Sequence, residues 1–143
     1  MLPLSQSAGY AVLALSCLEG PGGSPLLVQD VASWIQAPGP YLAKVFNALA
    51  KAGLVVAKRG NKGGVILARP AAEITLDEVA EALDGPAWRE ECLLGLTECS
   101  DERACPVHAF WKEERERIHA QLKGTTLADV ARFERTHRLS PHP

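Results

Sequence analysis

The chain has 143 residues, of which 47% are hydrophobic and 22% are charged, and its formal net charge is −2. This composition is typical of a folded globular chain and excludes an intrinsically disordered one. No apolar run approaches the roughly 20 residues that a membrane-spanning helix needs, and the first residues lack the basic and apolar regions of a secretory signal. We therefore expect a cytoplasmic protein that has no membrane partner.

The charge is unevenly distributed along the chain. Residues 1–70 carry six lysines and arginines against two acids, whereas residues 71–143 carry nine against fifteen. A basic half can follow the phosphates of a nucleic acid while an acidic half serves another purpose. Ordinary scatter of charges could produce the same imbalance, so the function has to be argued from the order of the elements.

The first half of the chain predicts three helices. An apolar run at 7–18 indicates a buried helix, and a shorter helix follows at 28–34. A turn at 36–40 leads into a third helix at about 40–52, with Pro40 suited to its first position. The apolar spacing of this third helix directs one stripe to the core. It leaves four side chains for the outer surface: Tyr41, Lys44, Asn47 and Lys51.

A hairpin follows the three helices. Residues 54–59 are strand-like, the turn at 60–64 is rich in glycine, and 65–68 form the return strand. Three helices and a hairpin in this order predict a winged helix-turn-helix, a mainly α fold with a small β-hairpin wing. We expect it to bind double-stranded DNA through the third helix and the wing, with the contacts made by Tyr41, Lys44, Lys58, Arg59 and Lys62.

The second half of the chain predicts an interaction element. Thr75 and Glu78 have the spacing of a capping box that opens a short helix to about residue 83. Pro106 is expected to begin a long amphipathic helix that reaches about Lys123, and Thr126 to cap a last short helix. Such a long helix beside a complete small domain is expected to pack against a second copy and form a homodimer, although it could pack only on its own domain.

These elements divide the chain into three parts. Residues 1–84 are expected to form the winged helix-turn-helix domain, and residues 85–105 a cysteine-rich loop, named here the cysteine loop. Residues 106–143 are expected to form the dimerisation helix and the short C-terminal helix.

Four cysteines occur in the chain, and three of them are close together. Cys17 lies alone in an apolar helical run, which is typical of a packing thiol. Cys92, Cys99 and Cys105 fall within fourteen positions, and His108 follows three positions after the last of them. In a reducing cytoplasm such a group favours metal binding or redox chemistry over disulfides.

The spacing of the three cysteines favours an iron–sulfur cluster. Zinc sites commonly use cysteine pairs about two to four residues apart, and the gaps here are longer. A zinc site and bare redox thiols remain alternatives at this point. The fourth ligand is also open: His108 is the nearest candidate, or it is a histidine that only forms hydrogen bonds at the start of a helix.

Taken in order, these motifs resemble the Rrf2 family of winged-helix regulators, which includes iron–sulfur cluster regulators and nitrite-sensitive repressors. The likeness runs from about Leu4 to Val130. Besides the three cysteines, it rests on short motifs along the chain: Gly9-Tyr10-Ala11, Tyr41-Leu42 and Phe46, Lys51-Ala52-Gly53-Leu54-Val55, Arg59-Gly60 and Gly63-Gly64, Leu67-Ala68-Arg69-Pro70, Ile74-Thr75-Leu76, Asp84-Gly85-Pro86, His108 with Trp111, and Thr126-Leu127-Ala128-Asp129.

The resemblance implies a homodimer with crossing long helices and a cluster bound by Cys92, Cys99 and Cys105, with His108 as the fourth ligand. Two positions depart from the family pattern. Val65 replaces an aromatic residue that is common after the double glycine, which changes the packing of the wing. Gly9 replaces an aspartate that can ligate the cluster in the nitric-oxide-sensing branch. We therefore expect a 2Fe–2S cluster completed by His108, with a 4Fe–4S cluster as the alternative.

The expected function is transcription regulation in which the affinity for operator DNA follows the cluster's occupancy or redox state. An enzyme, such as a thiol oxidoreductase, is disfavoured because the chain has no C-x-x-C pair beside a βαβ unit. The remaining alternative is a regulator of the same fold that senses a small molecule or uses bare thiols.

Overall fold

The computed structural model describes residues 4–86, 90–96 and 99–137. Within them, the helices are α1 (Gln6–Ser16), α2 (Val28–Ile35), α3 (Gly39–Lys51), α4 (Leu76–Asp84), α5 (His108–Gly124) and α6 (Leu127–His137), and the strands are β1 (Val55–Lys58) and β2 (Gly64–Leu67). This order confirms the predicted winged-helix architecture. In this described part of the chain, no helix combines the length and the apolar character needed to cross a membrane.

The pair α2 and α3 forms the helix-turn-helix. The α2 helix ends at Ile35, and the next residue, Gln36, has a φ of 57° in the left-handed region. The N–H of Ala37 then donates to the carbonyl of Ala32 at 2.9 Å. This closure reverses the chain in a few residues, as a helix C-terminus with a left-handed residue commonly does. The α3 helix begins at Gly39, with Pro40 one position later than expected.

One hydrophobic core holds these helices together. The α3 helix buries the predicted stripe (Leu42, Val45, Phe46 and Leu49), which meets residues of α1, α2 and the hairpin. Leu127, at the start of α6, is fully buried in the same core, and α6 packs on α1. The division into three parts at residues 84 and 105 stays a prediction, but the first turn of α6 shares its core with the helix-turn-helix.

The wing is a two-stranded antiparallel hairpin. Val55 pairs with Leu67 and Lys58 pairs with Gly64, so the strands meet at the glycine-rich turn. Val65, at the position where an aromatic residue was expected from the family pattern, is 7% exposed. Its N–H donates to the carbonyl of Leu26 at 2.8 Å and its carbonyl accepts from the N–H of Leu26 at 3.1 Å. These two bonds fix the wing to the segment before α2.

The surroundings of Gly64 explain why the wing needs a glycine at this position. Its φ is 146°, and a Cβ added there would lie 2.4 Å from the carbonyl oxygen of Leu26. We expect Gly64→Ala to lower the free energy of unfolding by about 2 kcal/mol, from the strained backbone and the displaced hairpin. Urea unfolding measures this. The control is Gly60→Ala, since Gly60 has a φ of 105° but no described atom within 4 Å of an added Cβ. Equal losses in the two variants would contradict the close approach to Leu26.

Two of the predicted helix caps are confirmed. Thr75 and Glu78 form a reciprocal capping box at α4. At α6, the N–H of Asp129 donates to Oγ1 of Thr126 at 3.3 Å, and the N–H of Thr126 donates to Oδ2 of Asp129 at 2.9 Å. With this cap, α6 extends to His137 and is longer than the short helix expected.

The long helix differs from its prediction at its start. It begins at His108 rather than at Pro106, because the N–H of His108 donates to the carbonyl of Cys105 at 2.9 Å and closes a turn there. Its apolar positions are also only partly covered. Trp111 is 4% exposed, whereas Phe110 is 60% exposed.

Candidate functional site

The described parts of the cysteine loop bring Cys92 and Cys99 together. The side chain of Cys99 lies near the thiol of Cys92, although six residues separate the two in sequence. Backbone N–H groups of Leu96 and then Leu94 donate to the sulfur of Cys92, and they hold the pKa of this thiol below its usual range, with a smaller contribution from Cys99. A thiolate is the form that binds metals and acts as a nucleophile. The loop therefore favours the reactive form of Cys92.

His108 extends this pair into α5. Its side chain is only 6% exposed, and its Nδ1 lies 3.4 Å from Sγ of Cys99. The turn that begins α5 positions the ring, because His108 is the helix's first residue. Three of the four predicted ligands thus form a connected set in which Cys99 is the central member.

A carboxylate holds the other side of the imidazole. Oδ1 of Asp101 lies 3.0 Å from Nε2 of His108, and Nζ of Lys112 donates to both oxygens of Asp101, at 3.0 and 2.9 Å. The hydrogen bond from Lys112, and then that from His108, lowers the pKa of Asp101. The same contact with Asp101 raises the pKa of Lys112. Asp101 is therefore kept ionised between two donors.

The α5 helix also holds the loop just before Cys92. Nε1 of the buried Trp111 donates to the carbonyl of Glu91 at 2.6 Å, and Nη1 of Arg115 donates to the same oxygen at 3.3 Å. Trp111 and Arg115 are one helical turn apart, so both side chains reach the same side of the helix. The loop is thus attached to α5 on both sides of the Cys92–Cys99 pair.

The fourth predicted ligand, Cys105, is half-buried and reaches α5 through its backbone carbonyl. Among the residues that the structure describes, no three His, Cys, Asp or Glu side chains are already gathered in the arrangement of a metal site. The donor set still fits an iron–sulfur cluster in its chemistry, because thiolates and imidazole are the ligands that such clusters take. The contact between Cys99 and His108 also places one donor of each kind side by side.

The predicted DNA-binding residues fall into two groups. Lys44 on α3 and the wing residues Lys58, Arg59 and Lys62 are exposed, as expected for residues that contact DNA. Tyr41 was placed on the outer surface, and this placement is wrong. It is half-buried, its ring packs edge-on against Tyr10 with centroids 5.7 Å apart, and its hydroxyl forms a hydrogen bond with that of Ser7. Tyr41 joins α3 to α1, and its contact with DNA stays a prediction.

The sequence analysis did not predict that three further groups would take part in this site: Asp101, Lys112 and the carbonyl of Glu91. Lys112 follows His108 by four residues, which is the spacing of side chains on one face of a helix. That spacing could have indicated a shared partner for the two. No sequence pattern indicated that Asp101, among several acids in the loop, would be the residue between them.

Comparisons with known proteins identify the family and the fold of the chain. Residues 4–132 match the Rrf2 family, described as iron-dependent transcriptional regulators. The chain is 32% identical over 132 residues to the transcriptional regulator IscR of Serratia proteamaculans, covering 89% of this chain and 77% of that one.

Two solved structures share the fold. The structure of IscR from T. potens has a TM-score of 0.74 at 26% identity, covering 99% of this chain and 94% of that one. That of CymR, the global cysteine regulator of B. subtilis, has a TM-score of 0.75 at 25% identity, covering 93% and 98%.

Proposed function

The chain belongs to the Rrf2 family of DNA-binding transcription regulators, and from this premise we propose that it is a homodimer whose affinity for operator DNA depends on a bound iron–sulfur cluster. Members of the family are regulators and not enzymes, as predicted. The proposed ligands are Cys92, Cys99, Cys105 and His108, and 2Fe–2S is the proposed cluster type.

The observation that carries this proposal is the contact between Sγ of Cys99 and Nδ1 of the buried His108. This contact places a thiol and an imidazole nitrogen, the two kinds of donor that such a cluster takes, side by side. A cluster bound here would supply a group that responds to iron supply and to oxidants. The protein supplies the ligands for such a cluster. Cys92 and Cys99 lie near each other in the loop, and Cys99 contacts His108, the first residue of α5.

The experiment that tests this proposal is purification of the protein without oxygen. We expect a coloured protein with visible absorbance and with equal numbers of iron and acid-labile sulfide atoms, two of each per chain for a 2Fe–2S cluster. A colourless protein that contains zinc, or no metal at all, would overturn the proposal.

A second candidate is a regulator that senses through bare thiols. The specific observation in its favour is the lowered pKa of Cys92. Backbone N–H groups of Leu96 and Leu94 cause most of this lowering, and the nearby Cys99 adds to it. The likeness to CymR, a cysteine regulator, is compatible with it. A protein that is active in operator binding without iron, and that loses this binding reversibly on oxidation of the two thiols, would favour this second function.

The proposed homodimer rests on α5. Among its residues only His108 and Trp111 are buried, and Phe110 beside them exposes most of its ring. A single exposed phenylalanine is common on protein surfaces, so the proposal rests on the length of α5, which adds no residue to the core formed by α1, α3 and the start of α6. Light scattering on the purified protein measures the mass in solution, and a monomer at micromolar concentration would contradict the dimer.

Lys44 tests the proposed DNA contact of α3. Its side chain is exposed on the helix that enters the major groove in proteins of this architecture. We expect Lys44→Ala to weaken operator binding and to reduce the slope of log affinity against log salt by about one unit, because one phosphate is then no longer neutralised. Fluorescence anisotropy over a series of salt concentrations measures this slope. Glu19→Ala serves as the control because it removes a charged side chain from the loop after α1. An unchanged slope in Lys44→Ala would exclude Lys44 from the interface.

A further inference from the structure

One exposed carboxylate of the cysteine loop contacts two side chains in the first turns of α5. Asp101 lies between Cys99 and Cys105, while His108 and Lys112 are four residues apart on α5. The carboxylate contacts both, with Oδ1 3.0 Å from Nε2 of His108 and both oxygens within hydrogen-bond distance of Nζ of Lys112. Asp101 is thus the residue through which this part of the loop meets the helix.

The contact with Asp101 favours the tautomer of His108 in which Nε2 carries the proton. An ionised carboxylate only accepts hydrogen bonds, so Nε2 must be the donor in the contact with Asp101. In the neutral ring, Nδ1 then has its lone pair free, and this is the nitrogen that faces Sγ of Cys99 at 3.4 Å. In that tautomer, Nδ1 presents its lone pair to Sγ of Cys99.

We propose that Asp101, supported by Lys112, is a positioning residue that selects the tautomer and orientation in which Nδ1 of His108 serves as a cluster ligand. Histidines that bind metals commonly donate their other N–H to a carboxylate, which orients the ring and raises its basicity. This inference rests on the proposed function, since it assigns a role toward the cluster. It adds a residue that is neither a ligand nor a DNA contact.

The exposure of Asp101 argues against a purely structural role. Its side chain is 73% exposed and that of Lys112 is 46% exposed, and an ion pair so open to water contributes little to stability. The imidazole, by contrast, is 6% exposed. The pair therefore has its main effect on the buried ring that it holds, and removing Asp101 should leave the fold intact.

The first test compares cluster retention in Asp101→Ala, Asp101→Asn and the wild type. Anaerobic protein is mixed with excess chelator, and the loss of visible absorbance is followed. We expect Asp101→Ala to lose the cluster about tenfold faster, and Asp101→Asn to lie between because an amide oxygen still accepts from Nε2. Glu102→Ala is the matched control: it removes the same charge from the next residue, which is also exposed. We expect its rate to stay within about twofold of wild type. A wild-type rate in Asp101→Ala would overturn the inference.

The second test reads the tautomer without a cluster. Nitrogen NMR of the cluster-free protein, with the His108 signals identified by their absence in His108→Gln, shows which ring nitrogen is protonated. We expect a proton on Nε2 in the wild type and a mixture of tautomers in Asp101→Ala. A proton on Nδ1 in the wild type would overturn the inference. If the wild type proves unable to bind iron, the proposed function fails, and this second test still decides whether Asp101 sets the tautomer.

Discussion

Replacing Cys99 by alanine is expected to abolish cluster binding, to leave the dimer intact, and to change the affinity for at least one operator by about tenfold, which is about 1.4 kcal/mol. Cys99 is chosen because it is the central member of the predicted ligand set. It lies near Cys92, and its Sγ contacts Nδ1 of His108. Without the sulfur of Cys99, Nδ1 of His108 has no thiol partner. Cys92 and His108 are then no longer connected through Cys99. Phe110 and the rest of α5 are not altered, so dimerisation should persist.

The affinity should change because the cysteine loop connects α4 to α5. We expect cluster binding in the loop to alter how α5 sits against the winged helix, and thereby how two winged helices are spaced in the proposed dimer. Such coupling requires that the two states of the protein bind DNA with different affinity, since proximity alone shifts no equilibrium. The expected tenfold change corresponds to a modest coupling of this kind.

The measurement is a titration of operator DNA at one fixed salt concentration. Operators are first selected from genomic fragments by binding to the wild-type protein, and anaerobic wild type and Cys99→Ala are then compared on each of them. Cys17→Ala is the control, because it removes a thiol whose sulfur contacts the carbonyl of Leu13 within α1. Equal affinity of wild type and Cys99→Ala on every operator, with the cluster present only in the wild type, would exclude a regulatory role of the cluster at DNA.

The sequence was sufficient to predict the winged helix. Each of its elements carries a local signal: a 3.6-residue apolar period in α3, a glycine-rich turn between two strand-like runs, and capping residues at α4 and α6. These signals depend on residues close together in the chain, so they can be recognised without knowing the fold. The structure adds the reason for the second glycine of the pair, which is the backbone of Leu26 beside Gly64.

The ligands were predicted from their residue types, but the contacts around them could not be predicted from the sequence. The Asp101 carboxylate meets His108 and Lys112 only because the loop folds back on the start of α5. Tyr41 was misplaced for the same reason: its helical position is outward relative to the α3 stripe, but α1 lies against that side and covers it. Contacts between separate elements depend on packing angles that no local pattern contains.

A buried carboxylate on α4 contacts a half-buried imidazole on α5. Asp77 on α4 is 4% exposed, and its Oδ1 lies 2.8 Å from Nδ1 of His119 on α5, whose side chain is 26% exposed. A carboxylate taken out of water is costly unless a polar group is placed against it. The pair thus lies at the contact through which a change in α5 would reach the winged helix.

Removing the imidazole should therefore be strongly destabilising. We expect His119→Ala to lower the free energy of unfolding by about 3 kcal/mol, because it leaves the Asp77 carboxylate buried without this contact, and to lower the melting temperature by roughly 10 °C. The double variant with Asp77→Ala should recover part of the loss, since no buried charge is then left behind. Urea unfolding of the two single variants and the double variant gives the coupling energy between the side chains. Arg132→Ala is the matched control, because it breaks an exposed contact with Asp129 of 3.3 Å, and an exposed pair is expected to contribute less than about 1 kcal/mol. A loss in His119→Ala no larger than that in Arg132→Ala would show that the Asp77 carboxylate does not depend on the imidazole.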